Sequence, residues 1–188
     1  MRRNGFSLLE VLMVTATGLV IMVTAIPNMM TGIANARLRA SMTSFAGVLQ
    51  NTRMQAVKEN QTLSTRITAR PEGLMAYVKR ASDTGELSKT DSQVQLQAPI
   101  VKLTTPAGPG APAALDTGTL GFTPQTGDPS YNPRGIPCAY SGGNCLNTGF
   151  IYYFKDTRAE GEMGWAAVSI SPAGRIKKWF WNGSAWTD

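Results

Sequence analysis

Three sets of residues in this 188-residue chain carry chemistry by type and spacing. The first is a lone acid in apolar surroundings. Glu10 is the one charged residue between Phe6 and Ile26, a run of 21 residues that follows Arg2, Arg3 and Gly5. A carboxylate inside an apolar helix costs about 2.5–3.5 kcal/mol on membrane-insertion scales, so it normally has a partner and a function. The second set is Cys138 and Cys145, seven apart in CAYSGGNC. In an exported domain a close, even pair reads as a disulfide, and closing so small a ring is worth about 2–3 kcal/mol by loop entropy. A redox or metal pair would want a two-residue spacing or further ligands, which the neighbouring sequence lacks. The third set is Gly174-Arg175-Ile176-Lys177-Lys178, followed by Trp179 and Trp181. Residues two apart on a strand point the same way. Arg175 and Lys177 would then straddle a phosphate backbone, with Trp179 and Trp181 stacking on bases or ribose. The plain alternative is a solvated last strand whose tryptophans cover the sheet beneath them.

The chain has no histidine, which removes the commonest general base and metal ligand. Nor does it carry a nucleophile motif, a metal-ligand cluster or a phosphate loop. The sequence therefore predicts a protein that is not an enzyme and takes no cofactor. A net charge of +6 suits anionic partners such as nucleic acid or lipid head groups.

The elements that must position these residues begin with the apolar run. As a helix, 21 residues would reach roughly 31 Å, enough to cross a bilayer core. Arg2 and Arg3 precede it, which keeps the short N-terminus cytoplasmic and puts the bulk of the chain outside. The run leads into Pro27-Asn28-Met29-Met30 and offers no small-x-small site of the ordinary secretory kind. Pro27 predicts a kink or a melted turn. Beyond it the pattern turns amphipathic. Leu38, Met42, Phe45, Ala46, Leu49 and Ala56 follow steps of three and four, while Arg37, Arg39, Gln50, Arg53 and Lys58 fall off that stripe. The helix should end near Glu59–Gln61.

Alternating runs at Thr62–Ala69 and Leu74–Arg80, with Arg70-Pro71-Glu72-Gly73 between them, read as a hairpin. A polar loop at Ser82–Ser92 leads to Val94–Leu103, which Pro99 reduces to a weak edge strand. Thr104 to Cys138 holds seven of the eleven prolines and reads as an exposed, partly extended loop, with a short strand at Thr119–Thr123. Phe150–Lys155, Trp165–Ser169 and Arg175–Trp181 predict an antiparallel meander. In its last strand Arg175, Lys177, Trp179 and Trp181 share one face, with Ile176, Lys178 and Phe180 on the other.

The N-terminal order of two arginines, Gly5, Phe6, an apolar run with an acid five positions after the glycine, and then Pro27, resembles the class III signal of type IV pilins and type II secretion pseudopilins. The resemblance implies cleavage by a prepilin peptidase between Gly5 and Phe6 and methylation of Phe6 as the new N-terminus. It makes Glu10 the acid that meets the N-terminal ammonium of a neighbouring subunit. Further on, the body resembles the GspH/FimT family of minor pilins and pseudopilins. The residues that carry this are Arg53, Ala56, Val57, Lys58 and Asn60, the run Asn132-Pro133-Arg134-Gly135-Ile136-Pro137-Cys138, the strand Trp165–Ile170, and Ser171-Pro172-Ala173-Gly174-Arg175-Ile176-Lys177. Residues 82–128 match nothing usable.

The fold so implied is α+β and pilin-like. A long N-terminal helix, membrane-embedded in its first half, packs on a C-terminal antiparallel β-sheet. Residues 1–5 would be the leader, 6–27 the transmembrane or filament-core helix, and 28–61 its amphipathic half. Residues 62–188 would form a β-rich domain with a Pro/Gly-rich loop at 104–137. The function implied is that of a minor pilin assembling or priming a type IV pilus. The alternatives are a GspH-type pseudopilin of a type II secretion system and a FimT-like minor pilin that binds DNA for uptake. In that last branch Gly174-Arg175-Ile176-Lys177 matches a G-R-x-R motif with lysine in place of the second arginine, so Arg175, Lys177, Lys178 and Trp179 are the candidate DNA contacts. The implied partners are other pilins or pseudopilins, the prepilin peptidase, the inner-membrane assembly platform and the bilayer before assembly. The implied location is the inner membrane, with the C-terminal domain in the periplasm, and then the filament.

Overall fold

The computed structural model describes residues 7–80, 92–97, 99–108, 110–158 and 164–188, and within these the backbone but not the side chains of 24–28. The Gly5–Phe6 junction and most of the polar loop expected at Ser82–Ser92 lie outside the described residues. The chain is α+β. One helix, α1 (Leu8–Glu59, 52 residues), is followed by β-structure in which a single four-residue helix occurs among the described residues.

Of the kink or melted turn expected at Pro27, the melted turn is absent. α1 is helical without a break from Leu8 to Glu59, so the turns on either side carry the chain across the proline. The helix stops where the amphipathic pattern stops. Asn60 takes a left-handed conformation (φ 50°), and its N–H closes the last turn on the carbonyls of Ala56 and Val57. Asparagine tolerates that conformation better than most residues, which accounts for its place here.

The stripe read from the sequence is the buried face. Leu38, Met42, Phe45 and Leu49 are 0–2 % exposed, while Arg37, Arg39, Gln50 and Lys58 are open to solvent. Burial of such side chains is worth about 1.5–3 kcal/mol each, which outweighs the roughly 1 kcal/mol that a helical glycine such as Gly47 costs.

Two sheets receive this face rather than the single sheet expected. The first has the order β3-β2-β1-β6-β7-β8, with β1 (Leu63–Arg70), β2 (Gly73–Arg80), β3 (Gln93–Gln97), β6 (Ser130–Tyr131), β7 (Pro137–Ser141) and β8 (Asn144–Asn147). The second runs β12-β11-β10-β9-β4, with β4 (Ile100–Leu103), β9 (Gly149–Asp156), β10 (Trp165–Ile170), β11 (Ile176–Trp181) and β12 (Trp186–Thr187). All pairings are antiparallel except that of β5 (Pro124–Gln125), which runs parallel to β9. The hairpin β1–β2 pairs Leu63 with Arg80 through to Arg70 with Gly73.

Three expectations are corrected. Val94–Leu103 is not one weak strand but two. β3 closes an edge of the first sheet and β4 an edge of the second, so the chain changes sheets at the proline that was expected to weaken it. Thr119–Thr123 is not a strand. Residues Thr117–Leu120 form the short helix α2, because the Asp116 side chain accepts from the Thr119 N–H and Gly121 (φ 76°) supplies the left-handed exit. The proline-rich stretch is not simply exposed. Leu115 and Leu120 cover the outer face of the second sheet, against Ile151, Tyr153, Ala167 and Trp179.

The second sheet is therefore apolar on both faces. Phe150, Tyr152 and Phe154 of β9 point into the core shared by α1 and both sheets, and the alternate residues Ile151 and Tyr153 point outward under the loop. In the shared core the Phe45 ring stands edge-on to Tyr152 and Phe154, with centroids 5.3 and 5.4 Å away. The two sheets are also joined by charge. Asp128 accepts from Arg66 of β1 at 2.9 Å and from Lys102 of β4 at 3.3 Å.

Candidate assembly helix and a basic cleft

The first half of α1 presents its apolar side chains to the outside. Leu8 is 86 % exposed and Val23 72 %, and Leu9, Val11, Leu12, Met13, Val14, Leu19, Val20, Ile21 and Met22 are all exposed as well. Glu10 lies in the first turn among them, exposed, and no cation pairs with it among the described residues. The polar groups that do occur here are turned inward on the helix itself. The Thr15 hydroxyl donates to the Leu12 carbonyl and that of Thr17 to the Met13 carbonyl, both at 3.0 Å. Among the described residues no helix is long and apolar enough to cross a membrane.

At the other end of α1 three separated sequence runs meet on one side chain. The Arg53 guanidinium lies beside two turns, the one between β6 and β7 that contains Gly135 and the one between β10 and β11 that contains Gly174. Its Nη1 donates to the Gly174 carbonyl at 3.3 Å. Both glycines have positive φ (73° and 83°), a conformation that strains any side chain, and a Cβ at either would press closely on its neighbours. A Cβ on Gly135 would lie 3.0 Å from the Val57 methyl and 3.2 Å from Arg53 Nε, and one on Gly174 would lie 3.2 Å from Arg53 Cζ. Each turn is held by its own side chain. The Asn132 carboxamide accepts from the N–H groups of Arg134 and Ile136, and the Ser171 hydroxyl accepts from the Arg175 N–H. Beneath Arg53 the Tyr131 hydroxyl is buried without a partner among the described residues. Burial holds that phenol well above its ordinary range, and the Arg53 charge pulls weakly the other way.

This junction opens onto a cleft of about 690 Å³ whose walls include Arg53, Met54, Val57, Lys58, Arg175 and Ile176. Met54 and Val57 are 64 % and 51 % exposed, so the cleft pairs cations with uncovered apolar surface. Sequence reading placed Arg53 off the buried stripe and among the residues that carry the family resemblance, without assigning it contacts. Its spacing to Ala56 and Asn60, which are respectively buried and capping, was the available signal.

The candidate DNA contacts are not gathered on one open face. β11 begins at Ile176, so Arg175 belongs to the preceding turn and lines the cleft. Lys177 is bound to the Asp188 carboxylate at 2.7 Å and sits over the Trp179 ring at 4.8 Å. That ion pair, with Arg175 at longer range, holds the Asp188 carboxyl below its ordinary value. Trp179 is only 6 % exposed. Its indole N–H donates to the Ser169 hydroxyl at 2.9 Å, and the loop residues cover it. Lys178 points to the helix side and donates to the Thr43 hydroxyl at 3.2 Å. The strand alternation is as read, but the face carrying Trp179 is closed by the 104–137 segment.

Cys138 and Cys145 form the expected disulfide, with Cα atoms 5.2 Å apart, which ties β7 to β8 at the edge of the first sheet. Among the described residues no group of three or more His, Cys, Asp or Glu could hold a metal ion. The chain matches no protein-family model, no curated protein and no solved structure.

Proposed function

We propose that the chain is a filament subunit, a minor pilin of a type IV pilus, whose first helical half passes from a lipid bilayer into the core of the filament. The observation that carries this reading is the difference in cover along α1. Its second half is sealed against two sheets, while Leu8 to Val23 stands free as an apolar surface with one carboxylate in it. Such a surface has to be covered by something other than this domain. Its threonine hydroxyls are already satisfied on the helix, which suits a medium that offers no hydrogen bonds.

In lipid and in filament alike the apolar surface is covered, so hydrophobicity alone does not drive the exchange. Glu10 supplies the bias. Paired with the N-terminal ammonium of a neighbouring subunit after removal of residues 1–5, it sets the register. Left unpaired in a protein interior, it would cost several kcal/mol. Contacts of this head-to-tail kind do not close on themselves and therefore build a helical fibre. On this reading the chain is held in the inner membrane with its β-domain in the periplasm. Its partners are the prepilin peptidase, the assembly platform and other pilins.

The test is Glu10→Leu in the native host. Membrane fractionation should be unchanged, and incorporation into sheared surface filaments should be lost. Normal incorporation of the variant would overturn the proposal. Loss of protein secretion with intact pili would move the chain to the type II secretion pseudopilus.

A further inference from the structure

We propose that the cleft at the end of α1 is a docking site for an acidic, leucine-rich segment of another protein subunit. The identity of that subunit as a filament neighbour rests on the reading above, but the chemistry of the site does not. Arg53, Lys58 and Arg175 bring three cations to one cleft, and among the described residues none that line it is acidic. Among the described residues, Glu59 is engaged by Arg80 at 2.6 Å and Asp188 by Lys177 at 2.7 Å. Arg53 is fixed by its bond to Gly174 and by the two glycine turns that enclose it, so one cation is pre-oriented rather than freely mobile. Pre-orientation lowers the ordering cost of binding.

The floor between the cations is aliphatic. Met54 and Val57 are 64 % and 51 % exposed, and the partly buried Ile176 lines the same cleft. A flexible thioether beside a β-branched side chain suits an aliphatic side chain of a partner, and arginine at the border suits a carboxylate. The cleft, about 690 Å³, is open to solvent along its length and large enough for several side chains of a partner to lie in it. Nucleic acid fits less well. Among the described residues no aromatic lines the cleft, Trp179 is buried and Lys177 is committed to Asp188, so they supply neither a stacking platform nor a run of free cations along a backbone there.

The experiment uses the full chain in detergent micelles and fluorescence anisotropy with three labelled probes. These are a short peptide in which glutamates alternate with leucines, the same peptide with glutamines for glutamates, and a DNA duplex. The acidic peptide should bind, the glutamine peptide should not, and added salt should weaken the complex. Lys58→Glu together with Arg175→Glu should lower affinity by about tenfold or more, with the circular dichroism spectrum unchanged. Lys58→Gln with Arg175→Gln, which removes charge without reversing it, should give a smaller loss in the same direction. Glu10→Leu should bind the peptide like the parent chain, which separates this site from the assembly helix. Equal binding of the acidic and glutamine peptides, indifference to both double substitutions, or tighter binding of DNA than of the acidic peptide would each overturn the proposal.

Discussion

The two halves of α1 are both rich in Leu, Val, Met and Ala, yet one is sealed and the other bare. From Leu38 to Ala56 the buried apolar residues form a stripe, and what lies off it is polar or small except Met54. That half can lie on a sheet and still face water on its back. From Leu8 to Val14 apolar side chains follow one another on all sides of the helix, so no single packing partner could cover them. The difference shows that arrangement, more than apolar content, decides whether a helix belongs to its own domain. It also separates the residues whose loss should unfold the protein from those whose loss should leave it folded.

The strongest way to split the two halves is alkaline pH. Burial holds the phenols of Tyr131, Tyr152 and Tyr153 protonated above their ordinary value of 10.0. Tyr152 packs on Phe45 and Tyr131 on Ala56, so two of the three lie under the packed half of α1. A group whose folded pKa is raised contributes its stability fully below the unfolded value and loses it as pH climbs through the folded one. Stability should therefore hold up to about pH 10 and fall beyond it, with tyrosinate absorbance appearing together with loss of the sheet signal. In micelles the bare half should keep its helicity through this transition. Tyrosinate absorbance equivalent to all five tyrosines near pH 10 with the sheets intact would show that these phenols are not buried.

Next in size is a pair of truncations. Phe45→Ala removes the ring that touches both Tyr152 and Phe154 and should cost about 3–5 kcal/mol in denaturant unfolding of the full chain in micelles. Leu12→Ala in the bare half, 62 % exposed, should change the same midpoint by less than about 0.5 kcal/mol. Comparable losses at the two positions would mean that the first half packs on the domain after all.

The packed half of α1 was legible because Leu38, Met42, Phe45 and Leu49 repeat at helical spacing with charged neighbours. The hairpin was legible because its alternation is broken by a Pro-Glu-Gly turn. Those are local signals. The sheet switch at Pro99 was not legible, since β3 and β4 are defined by partners far away in sequence, β2 and β9. The burial of Trp179 was hidden for a related reason. Alternation fixes which face a side chain takes, but only the path of the 104–137 loop decides whether that face is covered, and Leu115 and Leu120 are isolated apolar residues with no period. One signal did pass unused. FIYYF and WAAV are unbroken apolar runs, the mark of strands buried on both faces. The convergence on Arg53 was legible only as spaced motifs, because a polar residue off the buried stripe gives no sign of which turns it will reach.

A finer cut through the packed half tests whether polar packing, and not only apolar burial, fixes the helix on the sheet. The Thr65 hydroxyl of β1 donates to the Thr52 hydroxyl at 2.8 Å, and Thr52 donates in turn to the Val48 carbonyl at 2.8 Å, all out of reach of solvent. Thr52→Val keeps the shape and strands the Thr65 hydroxyl, which should cost about 1–3 kcal/mol. Thr65→Val alone leaves Thr52 bonded to its own helix and should cost less. The double variant replaces both hydroxyls by methyl groups and should recover most of the loss, since no buried donor is then left without a partner. Strict additivity of the two single effects would mean that the hydroxyls act separately and that this contact does not hold α1 on β1. A recovery in the double variant would place the chain's attachment between helix and sheet at a pair of threonines as well as at the leucine and phenylalanine stripe.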